Sequence, residues 1–161
     1  MKKSWKENWK VYLLFVVITE IVGGISAWIT NGAMESFSQM AKDVPLMPPD
    51  ILFPIVWSIL YALMGISAAR IWLTSPSKER TYGLMIYVIQ LGINFLWSII
   101  FFNLQAYGLA FIWLVFLWIL IILMIREFNK IDSIAAKLQI PYLLWVTFAG
   151  YLNFMIWWIN R

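Results

Sequence analysis

Long apolar runs alternate with polar segments along the chain, and five of these runs are nearly free of charge. They cover residues 11–30, 51–73, 82–102, 107–125 and 138–159. Each is close to the length of about 20 residues with which a helix crosses the ~30 Å hydrocarbon layer of a bilayer. The pattern predicts an all-α integral membrane bundle of five transmembrane helices, forming a single domain over residues 1–161.

The connections between the apolar runs differ greatly in length. Residues 103–106 leave room only for a short turn, so the third and fourth helices should be antiparallel neighbours. The connection 31–50 is long and contains three of the six prolines, which fix φ and lack a backbone donor. We therefore expect 44–49 to be stiff and extended, in a loop without a helix. A loop of this length is either a lid over the bundle or a plain connector.

The composition excludes several classes of protein. Hydrophobic residues make up 63% of the chain and charged residues 12%, about half the ~25% that is usual in soluble domains. This balance excludes a soluble enzyme, a disordered tail and a secreted disulfide scaffold. Because the chain has no His and no Cys, it also lacks His-based triads, thiol nucleophiles, common zinc ligands and His or thiolate ligands for haem. Ligation by one of the eight Met stays open, although Met within a bilayer is far more often a packing residue. We expect no required cofactor and no metal site.

The basic residues are distributed unequally between the two sides of the predicted bundle. Ten of the twelve lie on the side of the N-terminus: Lys2, Lys3, Lys6, Lys10, Arg70, Lys78, Arg80, Arg126, Lys130 and Lys137. Only Lys42 and Arg161 lie on the other side. By the positive-inside rule, the N-terminus is cytoplasmic and the C-terminus outside, as expected in a bacterial cytoplasmic membrane. This distribution favours membrane orientation over a nucleic-acid-binding patch.

Polar residues within the apolar runs recur at helical spacing beside tryptophans. Three helix faces each combine an indole with amide, hydroxyl or small groups: Trp57 with Tyr61 and Gly65, Gln90 and Asn94 with Trp97, and Trp145 with Ala149 and Asn153. Such faces suit a flat apolar cavity with a few hydrogen-bonding groups. The alternative is ordinary aromatic packing, with the amides joining helices. The residues alone leave both readings open.

Two ionisable residues also fall within the predicted spans. Arg70 lies near the end of the second span and is expected to extend its guanidinium towards the interface. Glu20 lies in the middle of the first span, where a carboxylate needs a proton, a partner or water. Glu20 is therefore either proton-linked in function or a neutral hydrogen-bonded acid, and both possibilities stay open.

Three separated motifs resemble those of the TspO/MBR family, the tryptophan-rich sensory proteins that include the mitochondrial translocator protein. The first combines PLMPP at 45–49 with FPIVWSILY at 53–61. The second is NFLW at 94–97 followed by Phe101 and Phe102, and the third runs from PYLLW at 141–145. The motifs occur in the family's order and cover nearly the whole chain.

The resemblance implies a five-helix bundle, often a homodimer, with a pocket that opens towards the long first loop. It implies porphyrins such as protoporphyrin IX or haem as ligands, and in some bacterial members a light-dependent breakdown of protoporphyrin. Motif matching gives as pocket residues Trp57, Tyr61, Asn94, Trp97, Trp145, Phe148, Ala149 and Leu152. The candidate site also includes Gln90 and, from the loop, Pro45, Leu46, Pro48 and Pro49.

Two departures from the family pattern limit these expectations. Leu46 stands where many members carry a tryptophan, so this chain is expected to bind porphyrin without necessarily degrading it. Phe154 and Trp158 interrupt the sterol-recognition pattern of animal members, so sterol binding is not supported. The sequence thus favours tetrapyrrole binding for sensing or handling. Photodegradation, ligand transport and a scaffold for another membrane protein are the alternatives.

Overall fold

The protein is a bundle of α-helices. A computed structural model describes the backbone of residues 5–161 and the side chains of residues 8–33 and 36–161. Its helices are α1 (Trp5–Thr30), α2 (Met34–Met40), α3 (Leu52–Trp72), α4 (Lys78–Ser98), α5 (Tyr107–Asn129), α6 (Ser133–Leu138) and α7 (Ile140–Ile159). Among the described residues, five helical stretches are long and apolar enough to cross a membrane, ending with Ser133–Ile159, which joins α6 and α7. The predicted all-α membrane architecture is confirmed.

Three of the long helices, α1, α4 and α5, extend beyond the apolar runs into polar residues. α4 begins at Lys78, before the predicted start at residue 82, and the Ser77 side chain caps it by accepting a hydrogen bond from the Arg80 amide at 3.1 Å. At its other end α4 continues into one π-helical turn, Ile99–Asn103. The turn that follows is short, and α4 and α5 pack side by side, as the connection 103–106 predicts. Lys2 and Lys3 lie outside the described residues.

Small residues bring α1 and α3 into close contact. A Cβ atom added at Gly65 of α3 would lie 2.6 Å from the Cα atom of Val16 in α1. One added at Gly23 would lie 2.3 Å from the ring of Tyr61. Close approach through small residues is a common way to pack helices where lipid removes the hydrophobic driving force. Gly65 and Tyr61, four residues apart on α3, therefore both face α1.

The connection 31–50 contains a helix, so the expectation of a non-helical loop is wrong. A short 3₁₀ turn leads into α2, which places Phe37 in the core, and buried Ala41 and Val44 follow. Spacings of four and three residues allow these apolar side chains to pack inward together. The segment 44–49 is not uniformly extended either, because Leu46 lies in a turn with φ of 63° and its side chain is 79% exposed.

An ion pair joins α3 to α6 at the end of the bundle nearest the N-terminus. Arg70 Nη2 donates to Asp132 Oδ2 at 2.7 Å, and Asp132 also caps α6 by accepting from the Ile134 and Ala135 amides. Ser67 donates to the Ala135 carbonyl at 2.7 Å. Arg70 is thus anchored to a carboxylate that lies outside the membrane-spanning helices.

The contacts of Asp132 predict that the folded protein becomes less stable at acidic pH. Burial raises the pKa of this carboxyl, but hydrogen bonds from the Ala135 amide and from Arg70 outweigh burial, so the folded-state pKa lies below its usual value. The stabilisation is therefore complete above the unfolded pKa of about 3.9 and is lost as the pH falls through the lower folded pKa. We expect the unfolding temperature in detergent to fall in this acidic range.

The Asp132→Asn variant is the control for this effect. It should unfold at a lower temperature than the wild type near neutral pH, and the difference between the two proteins should shrink on acidification. A difference that stays constant from neutral pH to about pH 3 would show that the carboxylate contributes nothing through its charge.

Candidate ligand-binding site

A cavity of about 260 Å³ lies between α1, α3, α4 and α7, at the end of the bundle that carries α2. Its aromatic lining consists of Phe37, Phe53, Trp57, Tyr61, Trp97, Phe101, Phe102 and Trp145. Ala149 and Leu152 of α7 complete that side. The wall formed by α1 is different, because Gly23, Ser26, Ala27 and Thr30 are small or carry hydroxyls. The cavity therefore combines broad aromatic surfaces with a narrow polar strip.

Three indoles from three different helices contribute to this lining. Trp57 of α3 stacks on Tyr61, with 5.6 Å between ring centroids and 30° between planes. Trp97 of α4 stacks on Phe101 at 5.1 Å. Trp145 of α7 meets the ring of Phe53 edge to face at 5.9 Å. Such surfaces favour a flat apolar ligand, because offset and edge-to-face ring contacts add to the gain from burying apolar area.

A buried chain of hydrogen bonds holds Tyr61 in place. The Tyr61 hydroxyl donates to Asn94 Oδ1 at 2.9 Å, and Asn94 Nδ2 donates to the Tyr142 hydroxyl at 2.9 Å. Tyr142 in turn donates to Gln90 Oε1 at 2.8 Å. All four side chains are buried, so the chain joins α3, α4 and α7 in the hydrocarbon layer without exposing these polar groups to lipid. It fixes the orientation of one aromatic wall of the cavity.

A second set of hydrogen bonds orients Trp97. Its indole Nε1 donates to Asn153 Oδ1 at 3.2 Å, and Asn153 Nδ2 donates to the Tyr107 carbonyl at 2.8 Å. Trp145 is held differently, since its Nε1 is buried with no hydrogen-bond partner among the described residues. Trp145 packs against the rings of Phe53 and Phe148.

α2 covers the cavity through Phe37. This ring packs against Phe53, Phe101 and Phe102 at centroid distances of 5.9, 5.7 and 5.2 Å. The segment after α2 is tied to α7 by one hydrogen bond, from the Tyr151 hydroxyl to the Pro45 carbonyl at 3.2 Å. The connection 31–50, which we call the lid, therefore packs over this end of the bundle and contributes Phe37 to the cavity lining.

Comparison with known proteins identifies the family. The sequence profile of the TspO/MBR family matches residues 15–159, which include most of every predicted span. The chain belongs to the TspO/MBR family. Protein CrtK of Rhodobacter capsulatus is 34% identical over 151 residues, which cover 93% of this chain and 92% of that protein.

Bacterial and animal members are both similar to this TspO/MBR protein. Tryptophan-rich protein TspO of Chlorobaculum tepidum is 42% identical over 114 residues, or 70% of this chain and 72% of its own. Translocator protein of Bos taurus is 29% identical over 155 residues, covering 95% of this chain and 92% of its own. The similarity to CrtK and to the bovine protein extends over nearly the full length of each chain.

The structure brings together only part of the residues predicted for the site. The predicted residues that line the cavity are Trp57, Tyr61, Trp97, Trp145, Ala149 and Leu152. Gln90 and Asn94 do not line it, because they lie among the buried hydrogen bonds that hold Tyr61. Phe148 does not line it either, but packs on Trp145 at 5.7 Å and contributes to a shallow groove on the far side of that ring.

The proline-rich part of the loop also lies outside the cavity lining. Pro45, Leu46, Pro48 and Pro49 are not among the described residues that line it, and their contact with a bound ligand stays a prediction. Phe37, Phe53 and the hydroxyl residues of α1 line the cavity instead, although sequence reasoning did not select them. The spacing of Phe37, Ala41 and Val44 was a usable signal, since apolar residues four and three apart suggest one buried helical face. Glu20 is half-buried on α1 and does not line the cavity.

Proposed function

We propose that the cavity binds a porphyrin or a similar flat hydrophobic ligand, and that the protein takes part in tetrapyrrole sensing or handling. The observation that carries this proposal is the convergence of Trp57, Trp97 and Trp145 on one cavity from three helices. A macrocycle that contacts these indoles buries apolar area and gains ring contacts. Membership of the TspO/MBR family supports a role for a hydrophobic ligand within the bilayer.

Binding of a whole macrocycle requires the lid to move. The cavity volume of about 260 Å³ lies just below the range of roughly 300–1,000 Å³ that is typical of small-molecule pockets. Displacement of Phe37 from its three aromatic neighbours enlarges the cavity on the side of α2. The propionates of a porphyrin then lie at this opening, where Lys42 is exposed to solvent. With a cytoplasmic N-terminus, as the distribution of basic residues favours, this opening faces outside.

Equilibrium titration with protoporphyrin IX and with haem tests this function. Because the chain has no His or Cys, and no Met lines the cavity among the residues with described side chains, stacking on the indoles accounts for most of the affinity. We expect both ligands to bind saturably, with dissociation constants within about threefold of each other (below ~0.7 kcal/mol). The absorbance of the porphyrin serves as the readout, so that removing a tryptophan does not alter the signal.

Two tryptophan variants provide the matched comparison. Trp145→Leu should weaken binding of both ligands about tenfold or more, corresponding to roughly 1.4 kcal/mol. Trp28→Leu should leave it unchanged, because Trp28 is 79% exposed on α1 and outside the cavity lining. A strong preference for haem with a low-spin Soret spectrum would indicate axial ligation and contradict the proposal. Equal affinities of the two variants would contradict it as well.

A second candidate function is the light-driven oxidation of bound porphyrin by dioxygen. The observation in its favour is that three oxidisable indoles line the cavity, with Trp57 stacked on the phenol of Tyr61. Leu46 replaces a tryptophan common in the family but lies outside the cavity lining. Illumination of the complex in air tests this candidate. Bleaching faster than that of free porphyrin in detergent supports it, and bleaching at the same rate rejects it.

A further inference from the structure

A second concave surface lies on the lipid-facing side of the bundle, between α1 and α4. This groove has a volume of about 620 Å³, and no described residue lines both it and the ligand cavity. Its lining comes from α1 between Phe15 and Ile25, from Trp72 of α3, and from α4 between Leu84 and Phe95. The groove arises because α1 packs along α3 and leaves a gap towards α4.

The interior of the groove suits only an apolar occupant. Thr19 and Tyr87 are buried beside it, and their hydroxyl oxygens lie 2.7 Å apart. Thr19 donates its own proton to the Phe15 carbonyl, so Tyr87 donates to Thr19 and both hydroxyl protons are used. At Gly92 no side chain fills the space, since a Cβ atom there would meet nothing within 4 Å. The groove thus offers hydrocarbon surface and room for a chain.

The length of the groove matches one leaflet of a bilayer. Leu84 and Phe95 are eleven residues apart on α4, which corresponds to about 17 Å along a helix. Phe15 and Ile25 on α1 are ten residues apart, or about 15 Å. Half of the ~30 Å hydrocarbon layer is about 15 Å. An acyl chain of one lipid fills this length.

A cationic side chain lies at the end of the groove nearest the N-terminus. Trp72 and Phe15 close this end, with ring centroids 5.9 Å apart, and the Arg80 guanidinium lies 4.8 Å from the Trp72 ring centroid. Arg80 also donates to the Thr74 carbonyl at 3.2 Å, and no carboxylate of a described residue pairs with it. The side chain of Lys78, two residues before Arg80 on α4, is exposed. A guanidinium with free donors is well suited to a phosphate group.

We propose that this groove binds an anionic phospholipid. One acyl chain lies between α1 and α4 along the single leaflet, and the headgroup phosphate pairs with Arg80. The apolar lining favours an acyl chain, and the length of the groove limits this acyl chain to one leaflet. The guanidinium of Arg80 at the interfacial end favours a negatively charged headgroup. This site is separate from the proposed porphyrin cavity, and either can exist without the other.

Thermal unfolding of the purified full-length protein in detergent tests the lipid site. Phosphatidylglycerol and phosphatidylcholine with identical acyl chains are added in separate titrations. We expect phosphatidylglycerol to raise the unfolding temperature at about tenfold lower concentration than phosphatidylcholine, because only the former carries net negative charge. In Arg80→Gln this difference should disappear. In Arg126→Gln it should persist, since Arg126 is an exposed basic residue on the same side that does not border the groove.

A pair of glycine variants tests the groove itself. Gly92→Leu fills it and should abolish the stabilisation by both lipids, whereas Gly24→Leu, at an equally open position outside it, should not. Equal losses in Arg80→Gln and Arg126→Gln would reduce the effect to surface charge and overturn the proposal. Conversion of a dimer to a monomer by Gly92→Leu, without a change in lipid response, would assign the groove to a second copy of the chain and overturn it too.

Discussion

Gly65→Ala is expected to unfold at a markedly lower temperature than the wild type. The new methyl group would lie 2.6 Å from Val16 Cα, 2.8 Å from Val16 N and 2.9 Å from the Phe15 carbonyl oxygen. These are backbone atoms, so no rotamer change relieves the clash and α1 must move away from α3. We expect a loss of about 3 kcal/mol, at the upper end for overpacking, or roughly 6–12 °C for a chain of this size.

Gly24→Ala is the matched control for this variant. Gly24 lies in α1, where an added Cβ would meet nothing within 4 Å. Because alanine is the better helix former by roughly 0.5–1 kcal/mol, the control should be as stable as the wild type or slightly more stable. Equal unfolding temperatures of the two variants, measured in the same detergent, would show that α1 and α3 do not pack as closely as described.

Ala149→Phe should abolish most porphyrin binding while leaving the protein folded. Ala149 lines the cavity on α7, one turn from Trp145, and a phenyl ring there occupies the space between the indoles. Because the ring fills an existing cavity, the unfolding temperature should stay the same or rise. The dissociation constant of protoporphyrin IX should increase more than tenfold, which corresponds to at least about 1.4 kcal/mol.

Leu144→Phe provides the control on the same helix. Leu144 is 64% exposed on the lipid-facing side of α7, so the same new side chain there leaves the cavity unchanged. The control should bind porphyrin with wild-type affinity in the same absorbance titration. Wild-type affinity in Ala149→Phe would mean that the ligand binds elsewhere on the protein, with the groove between α1 and α4 as the next position to examine.

The positions of the spanning helices were predictable because the apolar runs themselves are required to cross a bilayer. The lid was not. Prolines after residue 44 suggested an extended segment, and the eight residues 37–44 were too short for their apolar spacing to outweigh that signal. Only the tertiary contacts of Phe37 with Phe53, Phe101 and Phe102 show why α2 is stable there.

The residues of the candidate site were also predictable only in part. Helical spacing placed Asn94 and Trp97 on one face of α4, and the two side chains do point into the bundle. Spacing along a helix does not show how deep in the bundle a cavity lies. It therefore could not show that Trp97 lines the cavity whereas Asn94 and Gln90 belong to the buried hydrogen bonds. Phe148 lies outside the lining for a different reason, because its face of α7 turns away from the cavity beside Trp145.

A crystal structure of the complex with protoporphyrin IX is the most direct test of the central claim, that a flat ligand is held among indoles from three helices. We predict that the macrocycle lies within about 4 Å of the rings of Trp57, Trp97 and Trp145, with α2 displaced outward and Phe37 no longer packed on Phe101. A macrocycle bound on the lipid-facing surface, with the cavity still closed beneath Phe37, would contradict the account.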